Sequence, residues 1–408
     1  MKPASEGARS ETLSGVLGFP ETVIEVGPTH PGVRHVMTGA GSAASFLVSL
    51  DDERITELEV EIGLAHRGFE KEVESRPWSF ALPYVGRLGH GAGVIAEVGY
   101  CLAVERLAGV VLPDRAIWLR MLVCELARVV DHFARLAAVA TAIGLPAAQA
   151  AAAQAEIEAA RLLRVATGRG PLAGWACLGG VASELPDRFF TGWPSASASL
   201  LEILGRYERV GVRNPSCIAR LSEVAPLSRE GCEAWGVTGP IARASGSPND
   251  VRRDAPYLRY ASVDFDVPVG ESGDDFDRLL VVVEEVRQSL RIADQCQSLL
   301  RSLGPGAIQA SRTGWEGSGA PDGSARFEAW LEGPPVPAGE VALSVESSTG
   351  ELGFLVVSDG DGLPRRIRCR APSFLHAQAM PAMLRGAQLD DLLPTAALLH
   401  LVAGECDR

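Results

Sequence analysis

The residues most able to do chemistry crowd into one stretch, residues 59–109. It opens strand-like, with alternating apolar residues through Val60 and Ile62, and breaks at Gly63. The charged run His66-Arg67-Gly68-Phe69-Glu70-Lys71 follows, and Pro77 stops it. The chain re-forms around Leu82-Pro83-Tyr84 and enters a glycine-rich loop from Gly86 to Gly93, which carries Arg87 and His90. A helix is predicted from Val94. Ionisable side chains beside a backbone-exposing loop at a helix N-terminus suit anions, metals or polar ligand heads. A second loop, Thr29-His30-Pro31-Gly32-Val33-Arg34-His35, is the other concentration of basic groups.

Other clusters read more simply as structure. His66-Arg67 with Glu70-Lys71 is expected to be a structural ion-pair network rather than a proton path. His132 and His376 are expected to be packed or hydrogen-bonded. Asp264, Asp266, Asp274, Asp275 and Asp277 resemble metal ligands at a glance, but helix N-capping and dipole complementarity account for the last three. The eight cysteines are dispersed, the nearest pair being Cys217 and Cys232, with no CxxC, so no zinc or iron–sulfur signature is present. Buried, reduced thiols are expected.

The elements that must position these residues follow from periodicity. Residues 21–26 read as a short strand. Phe46–Leu50 and Ile55–Ile62 read as two strands joined by the polar turn Asp51-Asp52-Glu53-Arg54. An amphipathic helix runs from Val94 to a stop at Gly109. A long helix runs from Pro113-Asp114 to about Ile143, its buried face holding Ile117, Met121, Leu122, Leu126, Val129, Val130, Phe133 and Leu136. At ~1.5 Å per residue it extends about 45 Å, enough for the spine of a bundle. Further helices are expected over 147–166, 199–210 and 274–300. Residues 303–326 form a Gly/Ser/Pro-rich loop. Strands at Val341–Ser347, Leu352–Ser358 and Arg366–Ala371, then a helix over 378–392, complete an α+β chain: a central long-helix bundle with N- and C-terminal β elements.

The bulk numbers set outer bounds. A chain of 408 residues can bury a large core. The net charge of −13 argues against general nucleic-acid binding and mildly against docking on anionic lipid. No stretch reads as a membrane-spanning helix, and the N-terminus shows no export signal.

The same residues carry a resemblance. GPTHPG, IGLAHRGFEK, ALPYVGRL, LAVERLAGVVLPDRA, LGGVASELP, WGVTGPIARASG, the block from Tyr260 to Ile292, VPAGE, VSDG, IRCRAPSFLHAQ and the terminal CDR occur in that order. Together they resemble the D subunit of NADH-quinone oxidoreductase, the 49 kDa subunit of complex I, which is related to the nickel–iron hydrogenase large subunit. The resemblance covers nearly everything after residue 25. It implies a flexible segment over 1–25 and one hydrogenase-large-subunit-like domain over 26–408. Within that domain it implies strands and loops over 26–92, a helical core over 93–301, a loop over 302–326, and a β meander with a C-terminal helix over 327–408.

Functionally, the resemblance implies a quinone-reduction cavity shared with a cluster-bearing B subunit, beside C and H subunits. No cofactor would be bound by this chain. Quinone would be the substrate, with NADH, FMN and iron–sulfur clusters held by partners, at the cytoplasmic face of a bacterial cell membrane. Reducing a quinone by two electrons needs two protons, so donors near its oxygens are expected. The family's loop His position falls on Arg34, with His35 next, its Tyr position on His90, and its Asp position on Ala142. A further family His and Arg near the partner's cluster fall on Leu172 and Cys177. Arg87 keeps the cluster-facing cation. The positions of the hydrogenase cysteines hold Gly89, Ala92, Val402 and Glu405, so thiolate-bound metal is not expected there. The alternative keeps the fold: a divergent paralogue acting as a structural or energy-transducing scaffold in a related membrane complex.

Overall fold

The computed structural model describes residues 22–30, 33, 44–89, 91–169, 174–310 and 336–408. Arg34, His35, His90 and Leu172, and most of the expected 303–326 loop, lie outside the described residues.

The N-terminal sheet is an antiparallel meander of β1 (Thr22–Val26), β2 (Ser45–Asp51) and β3 (Arg54–Glu61). Thr22 pairs with Leu50, and Asp51 with Arg54 across the expected polar turn. Phe46, Val48, Leu50, Ile55 and Leu58 are buried, the period-two face the sequence predicts. Residues 22–25, read from the sequence as part of a short strand although the resemblance places them in a flexible segment over 1–25, pair along β2 as β1.

The core is helical. α1 (Gly93–Ala108) ends where Gly109 turns left-handed, φ 67. α2 (Asp114–Ala142), α3 (Pro146–Thr167), α4 (Asp187–Tyr207) and α5 (Asp275–Leu303) form the bundle, with α2 against both α3 and α5. Two helical expectations need correction. α4 begins near 187 rather than 199, because Pro194 sits inside it and hides the pattern. The helix expected over 378–392 is α6 (Pro372–Leu384), broken near left-handed Gly386 before α7 (Leu392–Leu398).

Between α3 and α4 lie the two-residue strands β4 (Ala176–Cys177) and β5 (Gly180–Val181). The C-terminal meander is β6 (Gly339–Glu346), β7 (Glu351–Ser358) and β8 (Pro364–Arg370), with Glu346 paired to Glu351 at the first turn. That turn is not on the surface: Ser347, Ser348 and Thr349 are buried.

α2 departs most from the amphipathic expectation. Its apolar stripe is buried as predicted, except half-buried Ile117, but Arg115, Arg120, Glu125, Arg128, Asp131, His132 and Arg135 are buried as well. Neighbours enclose the helix on every side, so its charges must find partners inside the protein. Arg120 does so with a two-pronged pair to Glu105 on α1, at 2.8 and 2.6 Å, and with the carbonyls of Cys177 and Gly180.

Candidate functional site

The loop after residue 85 is held by backbone contacts on two sides. Gly91 donates its amide to Asp131 Oδ1 on α2 at 3.0 Å. A Cβ on Gly91 would lie 2.9 Å from the Asp131 backbone, so glycine lets the loop touch the helix. From the other side, a Cβ on Gly404 would meet the Arg87 carbonyl at 2.0 Å, which seats the C-terminal segment on the loop. Asp407 continues that clamp, accepting amides from Gly63 at 2.6 Å and Ala65 at 2.9 Å. The strand-to-loop break at Gly63 and the glycine-rich loop are thus fastened by one C-terminal segment.

Arg87 is exposed on this rigid frame, donating Nη1 to the Pro83 carbonyl at 2.8 Å. Arg67, also exposed, sits over the Tyr84 ring at 6.0 Å. Partial burial and the neighbouring Arg87 cation push the Arg67 guanidinium below its ordinary value. Two cations therefore share the outer face of the loop.

The expected network of His66-Arg67 with Glu70-Lys71 takes a different form. Lys71 pairs with Glu74 at 2.6 Å, while Glu70 accepts the Cys369 amide at 2.7 Å and lies 3.9 Å from Arg368. The acids reach β8 because the short helix at Phe69–Glu72 packs on that strand.

Behind the loop lies a buried polar cluster. Asp131 Oδ2 accepts from Ser348 Oγ at 2.5 Å and lies 2.9 Å from His400 Nε2. Glu405 accepts from Thr349 at 2.8 Å, and from both the amide and hydroxyl of Ser373 at 2.9 and 2.6 Å. Arg135 donates Nη2 to the Ser348 carbonyl at 2.8 Å, but its Nε and Nη1 have no protein partner. His400 is held at φ 51, a conformation costly for a side chain of its size. Burial raises the Glu405 carboxyl above its ordinary range against those hydrogen bonds, and lowers the Arg135 guanidinium to about 10.

Glu97 of α1 flanks the same loop. It accepts amides from Gly174, Trp175 and Ala176 at 2.6, 3.2 and 3.3 Å, and Gly86 packs directly on it. Burial lifts its carboxyl to about 7 despite those amides.

His132 and His376 are hydrogen-bonded as expected, to Glu285 at 2.8 Å and to the Leu399 carbonyl at 3.0 Å. Asp274 caps α5 through the Asp277 amide at 2.8 Å. Asp264 and Asp266 pair with Arg291. All eight cysteines are free thiols, and no metal-holding cluster occurs among the described residues. Ala142, at the end of α2, brings no ionisable group.

Asp131, Arg135 and His400 did not stand out from the sequence, and Glu405 stood out only as a place lacking a cysteine. The available signal was Asp131 and Arg135 interrupting a long apolar helix four residues apart. A cavity of about 920 Å³ lies elsewhere, lined in part by Glu105, Asp250 and Glu346, whose carboxylates are already held by arginines or amides.

Known proteins match this architecture closely. Residues 150–408 match the family described as respiratory-chain NADH dehydrogenase, 49 Kd subunit. The first of the NADH-quinone oxidoreductase D subunits of Anaeromyxobacter dehalogenans is 37% identical over 397 residues, covering 95% of this chain and 89% of the relative. The corresponding D subunit of Pelobacter propionicus is 33% identical over 395 residues, covering 95% of both. Among solved structures, a chain of the membrane-bound sulfane sulfur reductase, an archaeal respiratory membrane complex, superposes with a TM-score of 0.84 at 28% identity. The match covers 96% of this chain and 100% of that one. No helix among the described residues is long and apolar enough to cross a membrane.

Proposed function

The chain belongs to the 49 kDa family of respiratory-chain NADH dehydrogenase, the D subunits of NADH-quinone oxidoreductase, and from that premise we propose that it forms one wall of a quinone-reduction cavity in a membrane-bound respiratory complex. The facing wall is a B-type subunit carrying an iron–sulfur cluster, with C- and H-type subunits adjoining. This chain holds no cofactor. Electrons pass from the neighbour's cluster to quinone, and the change in charge is passed to the membrane arm on its cytoplasmic side. Arg87 faces the cluster, and His90 with Arg34 or His35 contacts the quinone head.

The supporting observation is the clamped loop: a backbone fixed from two sides that leaves Arg87 exposed toward solvent. A rigid frame presenting a cation suits a site assembled against a partner, because positioning and electrostatics must both be set before electrons arrive. The test begins with the complex isolated from native membranes. NADH-oxidising, iron–sulfur and antiporter-like subunits should co-purify with this chain. Arg87→Ala and His90→Ala should each lower quinone reductase activity about tenfold or more. Unchanged activity in both assembled variants sinks these residue roles.

A second reading is favoured by the solved relative, whose described reaction is sulfane sulfur reduction, together with Ala142 where a proton-supplying Asp is expected. In it the same fold serves as an energy-transducing scaffold with another acceptor or none. Co-purification of membrane subunits without an NADH module, and no quinone reduction, would select it.

A further inference from the structure

We infer that Asp131, His400, Arg135 and Glu405 form a buried proton store directly behind the loop at Gly91, feeding reduction of the acceptor on the other side. This inference rests on the quinone reading above.

The charge balance comes first. Asp131, Glu405, Arg135 and His400 are each at most 1% exposed. Two carboxylates and one guanidinium leave one negative charge uncompensated, and an uncompensated charge is costly in a buried site. One proton held within the cluster removes it, and burial already favours the protonated form of Glu405. The cluster is therefore built to hold a proton.

Its wiring suits transfer. Ser348 and Ser373 place hydroxyls on Asp131 and Glu405 at 2.5 and 2.6 Å, and a hydroxyl both gives and takes a proton. Ser373 Oγ also lies 3.0 Å from the His400 carbonyl, an alternative acceptor for its single proton, so one side chain touches both the Glu405 carboxylate and the backbone of His400. Arg135 Nε and Nη1, His400 Nδ1 and His376 Nε2 find no protein acceptor. Buried donors of this kind are where interior water binds, and the Asp131 and Glu405 carboxylates lie near enough for the charge of one to act on the other. The other groups around the cluster are Glu285 on α5 with its partner Arg243, His376 on α6, Cys369 on β8, Cys406 and Arg408, and Arg370 on β8, which is bonded to the carbonyls of Glu351 and Gly236. Burial drives His376 down to about 3 and raises both thiols, so these three stay neutral near pH 7.

The Gly91 amide donates to Asp131 Oδ1 and so fixes that carboxylate directly behind the loop, without itself carrying a proton. Reduction of one quinone to quinol takes two electrons, drawn from the partner's iron–sulfur cluster, and two protons. The store supplies one of these protons as the head is reduced and then regains one from bulk solvent, and the second proton of the quinol comes from bulk solvent directly. Asp131 and His400 thereby act as positioned donors, supplying what Ala142 cannot.

The experiment uses the complete complex, with a short-chain quinone as acceptor and hexacyanoferrate as an upstream control. Asp131→Asn keeps shape and the bond from Gly91. It should lower kcat about a hundredfold, leave KM near wild type, and move the alkaline limb of the pH profile toward lower pH. The control rate should not change. Glu405→Gln should act in the same direction more weakly. As a measurement free of variants, redox-difference infrared spectra of the wild-type complex should show a carboxylic acid band that changes on quinone reduction. Assembled Asp131→Asn with a wild-type kcat and pH profile, or no such band, overturns the inference while leaving the quinone reading intact. A wild-type complex that reduces no quinone overturns both.

Discussion

Helix α2 carries two buried polar regions within three turns of each other, and they are built on opposite principles. In the first, Arg128, Arg243 and Arg252 face Glu125, Asp250, Glu285 and Glu346. Every guanidinium nitrogen there is bonded: Arg243 to Glu285 at 2.5 Å and Glu346 at 2.8 Å, Arg252 to both oxygens of Asp250, Arg128 to the carbonyls of Glu346 and Ser347. Burial alone would raise the Glu285 carboxyl, but Arg243 and His132 hold it well below its ordinary range. In the second, around Asp131 and Arg135, two guanidinium nitrogens and imidazole atoms are left without acceptors. The difference separates scaffold from site. By charge alone both regions are one cation short, so the difference lies in bonding: fully bonded ions fix one arrangement of α2, α5 and the meander. Under-matched ions leave room for protons and water.

Breaking the matched region should have the largest effect. Arg243→Ala leaves Glu285 and Glu346 buried without their cation. It should cost about 3–5 kcal/mol, seen as a large fall in the denaturation midpoint of the purified chain.

A carboxylate satisfied only by neutral amides sharpens the contrast. Glu97, 1% exposed, is raised from 4.5 to about 7 by burial. The raised value means the folded form binds a proton more tightly than the unfolded chain. Stability from this group is therefore complete below about pH 4.5 and declines as pH rises to about 7. At 1.36 kcal/mol per pKa unit the decline amounts to about 3 kcal/mol. Glu97→Gln should abolish this component, so its stability relative to wild type should rise by that order between pH 4 and pH 8. Chemical denaturation across that range checks it, and a constant offset would count against the account.

The smallest effect is expected in the under-matched region. Arg135→Leu removes a buried cation with one protein acceptor, and the Glu405 carboxyl, already raised by burial, can take up a proton in its place, so the net cost should stay within about 1–2 kcal/mol. If Arg135→Leu destabilises as much as Arg243→Ala, the distinction between scaffold and store fails.

Much of the frame could be read before any coordinates. The antiparallel meanders follow from alternation and polar turns, α1, α2 and α5 from three- and four-residue spacing, and α3 from its alanine-rich run after Pro146. The glycine-rich loop and Arg87 were recognisable from type and spacing. Arg34, His35 and His90 remain expectations of the resemblance, since they lie outside the described residues. Where local patterns misled, proline inside α4 and α6 masked helices whose burial sustains them.

What the sequence determined by itself was the set of local elements and the family, because periodicity, capping and ordered motif blocks are written in neighbouring residues. What only the tertiary structure decided was the environment of each charge. Asp131 on α2 meets Ser348 and His400 from more than 200 residues away, and Gly404 seats on Arg87 from across the chain. An arginine in α2 reads the same in sequence whether it faces water, a bidentate carboxylate or nothing. Burial and long-range packing assign that difference, and with it the separation of scaffold from candidate chemistry.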